Sequence, residues 1–349
     1  MSMKIYAPIK IIGLILILIS GKIFGAEVRF LAMPKDQINT AGSMPEIYLD
    51  GEIDRNTLNQ IKNIVDVNKL DQAKVIFNSD GGNLMGAIEI GEYLREYECS
   101  TDVGTYNGQW DQSRTGDCYS SCVYAYIGGK YRFFDRNSKF GVHQFYSIDQ
   151  KDLTIKDVEQ GTQFIASYLV NYIRDMGVDI KLFTKISEQN SDDIELLDYD
   201  EMKNLGIFND GYLTSEWEYF VSADGAYFAG TQEQIDRKGI VLFGCQDKDL
   251  EISFVTKFGS ENFKSKYSNH LMIDEEIFDI TNKTREPEID GEGIFTVSYG
   301  PSSNELLKLM KAEYLGFKHI INSSEYDFTV DMYPETKEKL LSFMEFCKK

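Results

Sequence analysis

The stretch Val75-Ile-Phe-Asn-Ser-Asp-Gly-Gly82 decides the fold class, because a short apolar run passes directly into a polar turn that ends in two glycines. The apolar residues after it recur at the spacing of one helix face: Leu84, Ala87, Ile88, Gly91 and Leu94. A strand that leads through glycines into a helix presents backbone N–H groups at the helix N-terminus, where the helix dipole favours an anion. A strand–Gly-Gly–helix pattern is common in proteins, so it indicates a functional site only together with the residues around it.

Further strands and helices alternate on both sides of this stretch. The short apolar runs that predict strands are Glu46–Leu49, Cys99–Val103, Phe133–Phe134 and Phe140–Val142. A long amphipathic helix is expected from about Ile155 to Met176, ended by Gly177. Repeated βα units of this kind predict an α/β domain over residues 27–210, with a mainly parallel sheet covered by helices.

The pattern changes after Asp210. Short β-rich runs are separated by Gly, Asp and Asn turns, and two helical stretches follow at Glu305–Leu315 and Glu335–Phe346. We therefore expect a second, smaller domain over residues 211–349 that is rich in strands, of α+β or β-sandwich type.

The charge of the chain limits its partners. The 349 residues contain 36 Lys and Arg against 56 Asp and Glu, a formal net charge of −20. Such a surface repels nucleic acid and anionic lipid, so no nucleic-acid partner is expected.

The N-terminus has the order of a secretory signal peptide. Lys4 precedes the apolar run Ile11–Ile19, and the segment Ser20–Ala26 ends in two small residues, with Phe24 as an imperfect residue at the −3 position. The run is shorter than the ~20 apolar residues that a membrane helix needs. We expect cleavage after residue 26 and a periplasmic or secreted protein; an uncleaved anchor is the alternative.

Outside the cytoplasm, thiols tend to pair. Cys245 and Cys347 are the only cysteines of the C-terminal half and are paired by default. Cys118 with Cys122 is the second expected disulfide, which leaves Cys99 over, although an unpaired Cys118 or Cys122 could instead supply a nucleophile. With three histidines and no Cys-x-x-Cys pair, we expect no metal and no cofactor.

Three spaced elements together suggest acyl transfer. The amides of Gly81 and Gly82 could form an oxyanion hole, Ser120 lies 39 residues after Gly81 at the start of a helix, and His143 ends a strand 23 residues later. An oxyanion hole, a nucleophile and a base are the parts that acyl transfer requires. Ser121 competes with Ser120 for the role of nucleophile, and a serine before a helix can be a simple N-cap. His143 could likewise be a hydrogen-bonded core histidine.

These motifs resemble those of the proteolytic subunit of Clp protease, and more widely the ClpP/crotonase superfamily, over about residues 46–210. The resemblance is carried by Asn78-Ser-Asp-Gly-Gly82, by Ser120, by Asn137-Ser138 followed by His143-Gln144, and by Leu197–Ile207. It is closer to a group of exported ClpP-like proteins whose nucleophile lies in Cys-x-Ser-x-Cys, here Cys118–Cys122.

The resemblance implies a fold of stacked βα units and an exported serine hydrolase, a peptidase acting on short or unfolded peptides. Ser120 would attack, His143 would act as base, and the amides of Gly81 or Gly82 and of Ser121 would bind the oxyanion. It also implies a homo-oligomer that uses the long helix at 155–176. No ATPase partner is expected, because an exported protein has no ATP pool and the chain has no phosphate-binding Gly-x-x-x-x-Gly-Lys-Ser/Thr loop.

The sequence departs from the family pattern at two places. Asp80 replaces a proline and adds a negative charge beside the expected oxyanion. The orienting acid aligns with Ile194, so Asp193 is assigned to this role with Asp192 or Glu195 as the next candidates. The alternative function is therefore a catalytically inactive ClpP-like module that binds or acts as a scaffold; crotonase chemistry on acyl-CoA is a further enzyme class with this fold.

Overall fold

The computed structural model of the protein describes residues 25–38, 40, 42–145, 154–191, 193–222, 225–246, 249–257, 267–290, 293–321 and 324–348. The predicted signal peptide, 1–26, lies outside them apart from its last two residues. None of the helices in these ranges combines the length and the apolar character needed to cross a membrane.

The N-terminal part of the chain, residues 27–210, alternates short strands and helices and is called the N-terminal unit below. Its strands are β1 Glu27–Leu31, β2 Glu46–Asp50, β3 Lys74–Asn78, β4 Ser100–Val103, β5 Asp117–Tyr119, β6 Tyr131–Arg132, β7 Lys139–Val142 and β8 Glu195–Leu196. Its helices are α1 Thr57–Asn68, α2 Leu84–Glu96, α3 Cys122–Ile127, α4 Ile155–Asp175, α5 Lys181–Glu188 and α6 Tyr199–Asn204.

These strands form two small sheets. The first has the order β1-β2-β3-β4-β6, in which β2, β3, β4 and β6 run parallel and β1 is antiparallel to β2. The second has the order β5-β7-β8, with β5 parallel to β7. The centres of β2 and β3 are buried on both faces, which explains their unbroken apolar sequence.

The rest of the chain, residues 211–349, is called the C-terminal unit. Its strands are β9 Glu216–Ser222, β10 Gly225–Glu233, β11 Lys238–Gln246, β12 Asp249–Lys257, β13 Tyr267–Ile273, β14 Glu276–Asp279, β15 Glu288–Ile289, β16 Ile294–Tyr299, β17 Tyr314–Ile321 and β18 Ser324–Asp331. Its helices are α7 Ser303–Leu309 and α8 Pro334–Cys347. The strands form two antiparallel sheets with the orders β15-β16-β12-β11-β10-β9 and β14-β13-β17-β18. The protein is thus a mixed α/β chain with several sheets, as the sequence predicts at this level.

Each unit has its own cluster of buried apolar side chains. One cluster runs from Ala26 to Phe208 and the other from Phe228 to Phe343. The Cys245–Cys347 disulfide, with Cα atoms 5.4 Å apart, ties β11 to the end of α8. This pairing is confirmed.

A polar arrangement holds the N-terminal unit together at β6. The buried guanidinium of Arg132 donates to four backbone carbonyls: Ile207 O and Gly206 O at 2.8 Å, Gly129 O at 3.0 Å and Met176 O at 3.1 Å. Burial lowers the pKa of Arg132 to about 10. The contacts link β6 to the ends of α4 and α6, and Arg95 also donates to Gly129 O at 2.9 Å and to Met176 O at 3.2 Å.

Two predicted elements differ from the structure. The strand expected at Phe133–Phe134 lies at Tyr131–Arg132, although Phe133 N–H still donates to Thr101 O at 2.8 Å. The helix expected over Glu305–Leu315 ends at Leu309, because a turn at 310–312 redirects the chain and Tyr314 begins β17. The apolar residues before and after that turn happen to keep the spacing of a helix face, which is why the predicted helix is too long.

Candidate active site

The polar turn after β3 crosses from one sheet of the N-terminal unit to the other. Ser79 N–H donates to Asp117 O at 2.8 Å, and Tyr119 N–H donates to Ser79 O at 2.9 Å. These bonds pair the residue after β3 with Cys118 of β5. The turn at 79–82 therefore lies beside the end of β5, where Ser120 follows.

Gly81 makes the closest contact with this strand end. Its φ is +101°, and a Cβ atom built on it would lie 2.8 Å from Ser120 Cβ and 3.0 Å from the backbone N of Ser121. Such a distance leaves no room for a side chain, so glycine is required here for both its conformation and its size. The sequence-predicted residues Gly81, Ser120 and Ser121 are thus brought together.

Ser120 stands at a sharp turn between β5 and α3. Its φ is +56°, in the left-handed region that costs a non-glycine residue energy, and its N–H donates to Gly141 O of β7 at 2.9 Å. The side chain is half-buried. A serine held in a strained turn from strand to helix is the geometry that exposes a nucleophilic hydroxyl in hydrolases. An N-cap role is not seen: the N-cap of α3 is Ser121, and it makes no side-chain capping bond.

A disulfide brackets this turn. Cys118 and Cys122 are bonded, with Cα atoms 5.4 Å apart, and both are fully buried. The second expected disulfide is confirmed, so neither thiol is available as a nucleophile. Cys99 is the cysteine left over, and burial raises its pKa to about 11.

The backbone amides around Ser120 differ in their availability. Gly81 N–H donates to Ser79 Oγ at 3.1 Å. The amides of Gly82 and Ser121 make no hydrogen bond to any residue that the structure describes. Of the three predicted oxyanion-hole residues, Gly82 and Ser121 are the ones whose N–H groups have no partner within those ranges.

His143 lies at the same end of the second sheet as Ser120. β5 and β7 pair in parallel with Tyr119 opposite Gly141, so Ser120 and His143 both follow the carboxyl ends of neighbouring strands about 4.8 Å apart. His143 Nδ1 is 2.7 Å from the backbone O of Gln144. When Nδ1 donates to this carbonyl, Nε2 carries the lone pair that a general base needs. No hydrogen bond joins Ser120 Oγ to His143 among the described residues.

Two of the three candidate acids, Asp193 and Glu195, lie within the described residues. Asp193 is exposed, and its N–H closes a turn on Asn190 O at 3.2 Å. Glu195 pairs with Val142 across β7 and β8, and its carboxylate contacts Lys185 Nζ at 3.4 Å and Gln189 Nε2 at 2.9 Å.

Ile194, the residue that aligns with the orienting acid, directly precedes β8. The side chain of Ile194 crosses the neighbouring Gly141, where its Cγ2 lies 2.4 Å from the position a Cβ would take. Asp192, another candidate, lies outside the described residues.

Asp80 is exposed at the rim of the turn. Its charge acts on Tyr119, whose pKa rises to about 12 through burial, through a hydrogen bond with Asp117 and, to a smaller extent, through Asp80. Asp80 and Asp117 therefore make the rim beside Ser120 acidic.

Sequence reasoning missed two groups in this arrangement. Ser79 supplies the hydroxyl that accepts from Gly81 N–H, and the Ser-x-Gly spacing of a serine turn is a signal that could have found it. The backbone carbonyl of Gln144 contacts His143, and no residue type in the sequence could reveal a main-chain acceptor.

Comparisons with known proteins give limited information. No protein-family model matches the chain, and no curated protein matches it. Among solved structures, a serine-to-alanine variant of the 1510-N membrane-bound stomatin-specific protease is 13% identical, with a TM-score of 0.35 over 46% of this chain and 75% of that one.

Two further structures are similar to the same extent. A lysine-to-alanine variant of a protease of that description, in complex with a substrate peptide, is 13% identical, with a TM-score of 0.33 over 46% of this chain and 71% of that one. A 1510-N membrane protease specific for a stomatin homolog, from Pyrococcus horikoshii, is 12% identical, with a TM-score of 0.31 over 46% of this chain and 69% of that one. These scores are too low to carry an argument about this chain.

Proposed function

We propose that the protein is an exported serine hydrolase of the ClpP-like type, a peptidase that acts on short or unfolded peptides. The observation that supports this most is Ser120, a non-glycine residue with a φ of +56° at the turn from β5 to α3, packed against Gly81. A conformation that costs energy is retained where the surrounding structure enforces it, and such residues concentrate at active sites.

In the proposed mechanism, Ser120 Oγ attacks the carbonyl carbon of the substrate and forms a tetrahedral intermediate. His143 Nε2 accepts the hydroxyl proton and later donates it to the leaving amine, while the amides of Gly82 and Ser121 donate to the oxyanion. Gln144 O holds the Nδ1 proton of His143. Substrate binding has to bring Ser120 Oγ and Nε2 to hydrogen-bond distance, since such bonds are often long before the substrate is present.

Asp193 remains the sequence-based candidate for the acid that orients His143. A substitution of Asp193 distinguishes this role from orientation of the ring by Gln144 O. If the carbonyl holds the ring, Asp193→Asn should change kcat less than 3-fold, because Asp193 is exposed and bound into its own turn. A loss of about 10⁴-fold, as follows when a true orienting carboxylate is replaced by an amide, would assign the role to Asp193.

A fluorophosphonate probe tests the hydrolase proposal. We expect labelling of the folded protein, mapped by peptide mass analysis to Ser120 and not to Ser121, and lost in Ser120→Ala. Ser342→Ala is the matched control, because Ser342 is exposed on α8 and its hydroxyl only contacts Glu338 O of its own helix. A folded, oxidised protein that takes no label would refute the hydrolase and favour the binding or scaffold module.

Export is part of the proposal. Two disulfides are typical of proteins outside the cytoplasm. N-terminal sequencing of the periplasmic or secreted fraction should start near Glu27, and a sequence that still began at Met1 would contradict cleavage.

Self-association is also proposed, through the first half of α4. Ile155 and Phe164 on this helix are 80% and 73% exposed, and a Cβ built on Gly161 would meet no atom within 4 Å. Light scattering at micromolar concentration should show an oligomer that Phe164→Asp dissociates; Lys156→Asp on the same turns is the control. A wild-type monomer would refute the proposal.

A further inference from the structure

A cavity of about 420 Å³ lies between the two units of the chain. Its wall in the N-terminal unit comes from the loop at 42–44, from the loop at 110–111 and from Lys74, Phe133 and Asp210. Its opposite wall comes from the segments 211–212 and 234–237 and from Asp327. Ser120 and His143 are not among the lining residues, so the cavity is separate from the candidate active site.

The two cations in the cavity wall are already neutralised. Lys74 Nζ lies 3.2 Å from Asp111 Oδ1 and 3.8 Å from Glu46 Oε1. Arg237 is paired with Asp236 at 2.5 Å and with Asp327 at 3.2 Å. An anionic ligand would have to displace these carboxylates, which argues against one.

Asp210 supplies a further carboxylate without a cation. Within the described residues its side chain makes no hydrogen bond and no ion pair, and burial raises its pKa, an effect that Lys203 and Arg136 only partly offset. The lining residues thus contain four carboxylates against two cations. A ligand with positive charge would balance this surplus of two.

Gln234 provides an independent sign of a ligand. The residue is 8% exposed, and its side-chain amide makes no hydrogen bond with any described residue. Its backbone is fully used, since Gln234 N–H donates to Arg237 O at 2.7 Å and its carbonyl accepts from Arg237 N–H and from Tyr131 OH. The amide atoms of Gln234 are not fully enclosed by the described residues, so a molecule in the cavity can hydrogen-bond to them.

Three aromatic residues complete the wall: Trp110, Phe133 and Tyr212. Trp110 is fixed by a hydrogen bond from its Nε1 to Met44 O at 2.8 Å, and Tyr212 is 46% exposed. Aromatic faces attract organic cations and pack against short alkyl chains.

We propose that this cavity binds a small organic cation, an alkyl amine or diamine, whose ammonium group pairs with Asp210 and hydrogen-bonds to Gln234 while its alkyl part packs on the three rings. The ligand contacts both units at once, so binding stabilises their association. This inference does not depend on the hydrolase proposal.

Calorimetric titration of the full-length oxidised protein with 1,5-diaminopentane tests the proposal, with 1,5-pentanediol as the neutral probe of equal length. We expect binding of the diamine at least 10-fold tighter than of the diol, and a rise in Tm with the diamine only. Asp210→Asn should weaken diamine binding at least 5-fold. Asparagine is the substitution of choice because Asp210 has a φ of +48°, which asparagine tolerates well.

Asp71→Asn is the matched control, since Asp71 is exposed and lies outside the cavity. Its affinity for the diamine should equal that of the wild type. Equal binding of diamine and diol, no heat up to 10 mM diamine, or an unchanged affinity in folded Asp210→Asn would each overturn the proposal. Binding of the neutral polyol xylitol in preference to the diamine would overturn it as well and assign the cavity to a sugar-like ligand.

Discussion

The two units of the chain fill their interiors in different ways. The N-terminal unit buries hydrogen-bonded polar groups among its apolar residues, of which Arg132 with its four carbonyl acceptors is the clearest case. The C-terminal unit buries rings, and five fully buried phenylalanines form the middle of its core: Phe228, Phe243, Phe254, Phe295 and Phe317.

The backbone differs as well. Five of the six non-glycine residues with positive φ among the described residues lie in the N-terminal unit. Parallel strands all end at the same edge, so their turns converge there and polar side chains from separate parts of the sequence meet. In the described part of the C-terminal unit, six of the eight antiparallel strand pairs join consecutive strands, so most strand ends connect to a neighbour in the sequence. This difference in strand connections explains why the candidate active site lies in the N-terminal unit and the core of phenylalanine rings in the C-terminal unit.

The largest expected effect concerns the histidines of the two units. His143→Ala should lower the hydrolysis of the best peptide or ester in a substrate library about 10³-fold, because a general base contributes 10² to 10⁴. His270→Ala, in β13 of the C-terminal unit and bonded to Ser268, should be within 2-fold of the wild type. An equal loss of hydrolysis in both variants would contradict the assignment of the catalytic base to the N-terminal unit.

A substitution of Arg132 should break the polar arrangement of the N-terminal unit. Arg132→Met leaves Ile207 O and Gly206 O without a donor among the described residues, whereas Gly129 O and Met176 O still accept from Arg95. We expect a loss of about 3 to 5 kcal/mol in the free energy of unfolding. Urea denaturation of Arg132→Met and of the exposed control Arg174→Met measures it. A change below about 1 kcal/mol would mean that water replaces the guanidinium.

The disulfides should separate stability from activity. Cys245→Ser with Cys347→Ser opens a link across 102 residues and should cost about 2 to 4 kcal/mol of stability. Cys118→Ser with Cys122→Ser opens a link across 4 residues around Ser120, so we expect a larger loss of fluorophosphonate labelling than of stability. The opposite ranking in paired melting and labelling experiments would refute this division.

The smallest expected effect is a dependence of stability on pH. Burial raises the pKa of Asp102 in β4 from 3.8 to about 7, so between these pH values the folded protein holds a proton that the unfolded chain has lost. Stability therefore falls as the pH rises from about 4 to 7.

Asp102→Asn should remove this slope. We expect the variant to gain about 1 to 2 kcal/mol in the free energy of unfolding at pH 8 and nothing at pH 4. One pKa unit is about 1.4 kcal/mol, and solvent near Asp102 screens part of its charge. Asp71→Asn is again the exposed control. Denaturation curves at both pH values measure the effect, and an equal gain at both would exclude a titrating carboxyl.

Much of the secondary structure follows from the sequence. The periodicity of α4 predicts Ile155–Met176, and the helix runs over Ile155–Asp175 with a capping box from Thr154 and Asp157. The helix over Glu305–Leu315 is too long in the prediction, since side-chain spacing does not register the turn that brings Tyr314 into β17. Long helices can thus be predicted from side-chain periodicity, whereas strand pairing elsewhere in the fold can end a predicted helix early.

The candidate site is predictable only where its residues are marked by local sequence signals. Gly81, Ser120 and Ser121 come together because strand ends and glycines are local signals. The relation between His143 and its acid is not local: it depends on how β7 and β8 pair, and a shift by one residue exchanges Ile194 for Asp193 or Glu195.

The buried thiol of Cys99 has a consequence for the chemistry of the other four cysteines. With a pKa of about 11, about one molecule in ten thousand carries the thiolate at pH 7, against about one in thirty for an ordinary thiol. Thiolate is the species that attacks a disulfide. Because Cys99 is buried and its thiol stays protonated at neutral pH, we expect it to exchange slowly with the Cys118–Cys122 and Cys245–Cys347 bonds.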